Sequence, residues 1–335
     1  MKKYFVRAAV LAVIAVLSSP VGFPAHASGS PTLPANQQLF AFDFDEPPVY
    51  LWEVDSGDAG LAPIGLGTPG AAFISAQQNP ADGLVYAIGF DGTFPTYLAS
   101  MDMTTGVGEK IHSFVGGPML TTKLLFNNAG DAFAIGADGP GSDPSIYDLN
   151  LDTAVLSNPR SLGITDACIF GAAHNPVNDT LYAFCDDATY IVDWTTGVAT
   201  ADPAQDLMFE YYACPGTQEV RDPFPTDYAF DANGDLWASS GGCNTELLFF
   251  DFATGHQTFV GQMHEATPSL YSNAPNYDVM TYGIVITTDG VGSPENGTGS
   301  EEIADTGAND GVNAIAVLAV AGIVAAVAVR RRARF

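Results

Sequence analysis

The chain is 335 residues long and carries 38 acidic against 11 basic side chains, a formal net charge of −27. Seven of the bases (Lys2, Lys3, Arg7, Arg330, Arg331, Arg332 and Arg334) lie at the two ends, which leaves Lys110, Lys123, Arg160 and Arg221 between Ser28 and Thr306. Four bases against 37 acids give that central stretch a net charge of −33, a balance that favours solubility and excludes partners held by their own negative charge, such as nucleic acid or anionic lipid.

In chain order, the first element is a basic start (Lys2, Lys3, Arg7), the apolar run Ala8–Leu17 and the small-residue site Ala25-His26-Ala27. This pattern predicts a secretory signal peptide over 1–27, cleaved after Ala27. The apolar run is shorter than the ~20 residues needed to span a bilayer, which argues against a retained anchor. Residues 28–36 form a short leader.

Residues 37–290 contain an internal repeat. An aromatic-Ala pair recurs in a short hydrophobic strand as Phe40-Ala41, Tyr86-Ala87, Phe133-Ala134, Tyr182-Ala183 and Trp237-Ala238, at spacings of 46, 47, 49 and 55 residues. Each pair is followed by a second strand that ends in a polar turn: Asp55-Ser-Gly57, Asp102–Gly106, Asn150–Thr153, Asp193–Gly197 and Asp251–Gly255. An Asp that bonds its own backbone, followed by a Gly that tolerates positive φ, suits a hairpin turn. Turn signals also precede most of the aromatic-Ala strands, at Asn79–Gly83, Asn128–Gly130, Asn175–Asp179 and Ala232–Gly234. A unit of four short strands in roughly 46 residues has the size of a β-propeller blade, and no sustained 3.6-residue apolar period predicts helix. The first repeat lacks an innermost strand, while Thr281–Gly290 reads as such a strand with nothing after it. Joining the two completes a ring. The expected fold is therefore an all-β propeller of five four-stranded blades closed by the C-terminal strand, with six blades as the alternative. The repeat resembles the loose bacterial propeller families built on Leu-Tyr-Ala…Asp-x-x-Thr-Gly units, a resemblance that implies fold and not chemistry.

Residues 291–302 are Gly, Ser, Pro and acid, the composition of a flexible linker. Then come Ile303-Ala304-Asp305-Thr306-Gly307, the apolar run Ala314–Val329 and a terminal arginine cluster. The arginines would stay cytoplasmic and stop transfer. The three parts together resemble the sorting signal of wall-anchored surface proteins of Gram-positive bacteria, of the Leu-Ala-x-Thr-Gly variant associated with high-GC species. That resemblance implies that a sortase cysteine attacks the Thr306 carbonyl and passes the chain to an amine of the cell-wall peptide, with 303–335 as the sorting signal. The alternative is a single-pass plasma-membrane protein with its body outside.

Four cysteines in an exported chain predict two disulfides. The propeller reading selects Cys168–Cys185, flanking the Asn175–Asp179 turn, and Cys214–Cys243, in connections that share one end of the ring. The longest connections gather at that same end and carry Tyr211, Tyr212 and Arg221 in one and Tyr271, Tyr277 and Asp278 in another. Tyrosines among acids and amides suit a glycan or peptide ligand. Asp231, Asn233 and Asp235 have the spacing of a calcium loop but lack its later glutamate, so a plain turn is favoured and no cofactor is expected. No nucleophile-elbow, zinc-helix or phosphate-loop motif is present, so no catalytic residue is assigned. Asp43, Asp45 and Glu46 could pair as a glycosidase needs. The leading expectation is a monomeric, surface-displayed binding or adhesion module for an unknown protein or glycan. The alternatives are a tethered polysaccharide hydrolase or lyase using carboxylates near the central channel, and a structural envelope component.

Overall fold

A computed structural model of the chain describes residues 31–43, 51–65, 72–139, 142–164, 171–185, 188–203, 207, 212–213, 220–221, 225–240, 245–265 and 281–288. The predicted signal peptide, linker and sorting signal lie outside the described residues. Among the described residues no helix is long and apolar enough to cross a membrane.

The chain runs through β1 (Gln37–Asp43), β2 (Leu51–Val54) and β3 (Gly60–Gly65), then four complete antiparallel sheets. Blade 1 holds β4 (Ala72–Gln78), β5 (Val85–Phe90), β6 (Tyr97–Met101) and β7 (Gly108–Ser113). Blade 2 holds β8 (Leu120–Phe126), β9 (Ala132–Ala137), β10 (Ser145–Asn150) and β11 (Val155–Ser161). Blade 3 holds β12 (Ala172–Asn175), β13 (Thr180–Cys185), β14 (Ala188–Val192) and β15 (Ala199–Ala201). A two-stranded ribbon, β16 (Tyr212–Ala213) with β17 (Val220–Arg221), precedes blade 4, which holds β18 (Pro225–Phe230), β19 (Leu236–Ser240), β20 (Glu246–Asp251) and β21 (His256–Gln262). After β22 (His264–Glu265), the last strand β23 (Thr281–Thr288) pairs along β1, giving the sheet order β22-β3-β2-β1-β23. The protein is a five-bladed β-propeller, and its closing blade is spliced from the first and last strands of the body, as the sequence predicts.

The repeated aromatic-Ala pair has a directional role. Side chains alternate along a strand, so within a blade successive residues fill opposite gaps between blades. Phe40, Phe133 and Trp237 each pack into the gap toward the following blade, and Ala41, Ala134 and Ala238 into the gap toward the preceding one. Tyr182-Ala183 obeys the same rule, as does the half-buried Tyr86 with Ala87. Every gap therefore receives a large ring from one side and a methyl from the other. The core is five such apolar clusters set around the ring.

The outermost strands are capped by a device that no sequence motif announces. Leaving blade 1, Val115 forms an isolated parallel bridge with Val155 at the start of β11, through Val115 N to Ala154 O (3.2 Å) and Leu156 N to Val115 O (2.8 Å). Leaving blade 2, Leu162 O accepts from Ala199 N of β15 at 3.3 Å. Leaving blade 4, β22 lies parallel to β3, His264 opposite Gly60. Each of these connections straps the outer edge of the next blade and covers groups that would otherwise template aggregation.

Candidate functional site

Strands β23, β4, β8, β12 and β18 are the innermost strands and surround the axis. Their inward edges present backbone amides that no ladder satisfies, and buried amides need partners. Neighbouring side chains supply them. Leu124 N donates to Ser75 Oγ (3.2 Å), Phe126 N to Gln77 Oε1 (3.1 Å), Thr288 N to Gln78 Oε1 (2.9 Å) and Ile284 N to Asp227 Oδ2 (3.0 Å).

Asp227 is also the partner of Lys123. The lysine leaves β8 of blade 2, crosses the axis and donates to Asp227 Oδ1 on β18 of blade 4, with Tyr228 O 3.3 Å from its Nζ. Tyr228 N donates to the same Asp227 Oδ1 at 2.9 Å. The two side chains are only 6% and 2% exposed. Burial pushes the Asp227 carboxyl above its ordinary range, against the Lys123 ammonium and the two amides, which pull it down. Beside the pair lies a cavity of about 30 Å³ lined from all five inner strands, including Gln77, Leu124, Ala173, Tyr228 and Ile284. That is room for a water or two.

Neither Lys123 nor Asp227 belongs to any motif of the sequence. The available signal is a lysine inside the apolar strand Leu-Thr-Thr-Lys-Leu-Leu-Phe, in a region with four bases. Two further bases of the body, Lys110 and Arg160, are likewise engaged. Lys110 meets Asp91 at 3.2 Å and lies over the Tyr97 ring at 4.7 Å, and Arg160 meets Asp148 at 2.6 Å and lies over Phe133 at 6.0 Å. Burial would raise both aspartates, but hydrogen bonds from Thr93 and Lys110 hold Asp91, and those from Arg160 and Asn158 hold Asp148, below the ordinary range.

The predicted ligand residues Tyr211, Tyr271, Tyr277 and Asp278 lie outside the described residues. Tyr212 and Arg221 are brought together as register partners across the β16–β17 ribbon. The predicted processing residues Ile303, Ala304, Asp305, Thr306 and Gly307 also lie outside. Cys185, at the end of β13, is disulfide-bonded, and no cysteine among the described residues is free. Cys168, Cys214 and Cys243 are outside the described residues, and the pairing stays an expectation. Asp43 ends β1, whereas Asp45 and Glu46 fall outside.

Around the calcium-like spacing, Asp231 Oδ1 accepts from Asn233 N (2.8 Å) and Asp235 N (3.1 Å), and its Oδ2 from Trp237 Nε1 (3.2 Å). The carboxylate shapes its own turn and anchors a core tryptophan. Among the described residues no group of three His, Cys, Asp or Glu side chains converges as a metal site would require.

No protein-family model and no curated protein matches the chain. Similar solved structures include one from a nidogen/laminin complex, at 13% identity and a TM-score of 0.43, over 75% of this chain and 98% of that one. A protein of unknown function from Bacteroides caccae is similar at 13% identity and 0.42, over 76% and 99%. A puromycin hydrolase is similar at 16% identity and 0.37, over 73% and 47%.

Proposed function

We propose that this propeller is an exported, surface-displayed recognition module. In this reading a sortase attaches it to cell-wall peptide through Thr306, and it binds a protein or glycan at the end of the ring where the long connections join the strands. The observation that carries the reading is the state of the axis. A hydrolase or lyase working in the channel needs a carboxylate free to move protons or attack. Asp227, the carboxylate found there among the described residues, is engaged by an ammonium and two amides. The adjoining cavity of about 30 Å³ admits water and not a sugar ring. Recognition is then left to the ends of the ring. One end consists of tight turns such as Asn79–Leu84 and Asp102–Val107, closed by their own backbone bonds. The other is the end at which β15 and β21 finish and β18 and β23 begin, and the sequence between those strands carries the candidate tyrosines.

Mass spectrometry of protein released from purified cell wall by muralytic digestion tests the attachment. The expected result is a C-terminal peptide that ends at Thr306 and bears a wall fragment. An intact tail through Phe335 in the membrane fraction would replace wall attachment by a membrane anchor. Saturable adhesion of whole cells supports recognition, whereas turnover of a soluble glycan abolished by one Asp or Glu substitution would overturn it.

A further inference from the structure

We infer that the spliced blade makes the ring a tension-carrying link, in which pull between the C-terminal linker and the long-connection end is borne in shear by the whole β1–β23 ladder. The inference rests on the reading that the chain is held at the cell surface through its C-terminal region. Strand β23 is innermost in its sheet and pairs with β1 through seven register partners, from Gln37 opposite Thr288 to Asp43 opposite Thr281. Its polarity follows from its neighbours. Thr288 N and Oγ1 both donate to Gln78 Oε1, at 2.9 and 3.2 Å, and Gln78 stands at the entry to the tight turn Asn79–Leu84. The chain therefore leaves the ring toward the linker at the tight-turn end, and a ligand held at the opposite end pulls against it along the strand.

Under that geometry all seven pairs resist together. Pulling Gln37 away from Thr288 has the opposite geometry, because the two are neighbours at one end and their hydrogen bonds then break in succession. Hydrogen bonds that are weak singly are strong when loaded in parallel. Other blades grip the same strand. Ile284 N is held by Asp227 of blade 4, which Lys123 of blade 2 holds in turn. Ile284 also packs with Trp237 and Leu247, Val285 with Phe40 and Phe73, and Thr288 is tied to blade 1.

Single-molecule pulling on the full chain tests this. One handle is fused after Phe335. The other is a bio-orthogonal side chain, placed either at Phe94, exposed in the β5–β6 connection at the far end, or at Asn36, beside Gln37. The expected rupture force is several-fold higher for the Phe94 handle. Equal forces, or a higher force from Asn36, overturn the inference. The measurement does not depend on how the cell holds the protein, since wall attachment at Thr306 and an intact membrane tail both load Thr288. Recovery of the protein free of both wall and membrane would sink the surface reading and leave the force ratio standing.

Discussion

At the residue scale, the turns that end the third strand of each blade show how one backbone requirement is met in two ways. Gly106, Gly197 and Gly255 take positive φ of 73°, 75° and 71°, and in the corresponding turns Ala59 and Ala154 do so at 62° and 50°. Both alanines are fully buried in clusters between blades. The turns were legible from Asp and Asn, whose side chains cap them as expected: Thr104 N and Thr195 N each donate to their aspartate at 2.8 Å. The alanines were not, because their left-handed backbone is imposed by a packing demand that local sequence does not show. Gly197→Ala places a Cβ 2.5 Å from Arg160 Cβ at a φ that disfavours it, and should cost at least about 2 kcal/mol. In Ala154→Gly, strain relief of about 1–2 kcal/mol opposes a lost methyl of about 0.8 and glycine's chain entropy of about 0.5–1, so the change should be small. Urea midpoints of the two variants check both.

His174 gives a second prediction at this scale. It is buried against Trp194 and bonded to Asp179 at 3.0 Å. Burial lowers its basicity below the ordinary value of 6.5, against the pull of Asp179. The unfolded chain therefore binds the proton more readily, so this residue's contribution is complete above pH 6.5 and falls away as pH drops below it. His174→Gln should flatten the acid side of the melting-temperature profile just below that pH.

At the element scale, the aromatic-Ala strand was readable because one motif serves five blades, and its period marks the fold. The axial ion pair was not readable, because its members stand 104 residues apart and come from blades that are not adjacent. The straps across the outer edges escaped for the same reason: backbone pairing in a connection leaves no periodicity. Removing one member of a buried pair strands the other, which costs about 3–5 kcal/mol. Lys123→Met should therefore destabilise strongly at neutral pH. The loss should shrink as pH falls and Asp227 takes up a proton. Adding Asp227→Asn, which keeps an acceptor for Ile284 N, should recover most of it. Chemical denaturation of the wild type and both variants at two pH values checks the set. No recovery in the double variant would mean that the charge is not what matters at the axis.

At the scale of the whole molecule, the four bases of the body offset 37 acids, and Lys110, Lys123 and Arg160 are taken up by internal partners. The folded ring holds like charges closer than the unfolded chain does, so its stability should rise with salt as repulsion is screened, mostly up to physiological ionic strength, where the Debye length has shrunk to ~8 Å. Melting temperature measured across that range checks this, and a flat response would mean the acids are too far apart to matter. The splice was legible because the sequence is one strand short at its start and one over at its end. It also sets a timetable. Strand β1 is among the first segments of the body to be synthesised, and its partner β23 is the last. Until β23 arrives, one flank of β1 stays open to any strand that approaches, so this protein reaches its native state only once its final blade residue has been made, and earlier blades must wait for it.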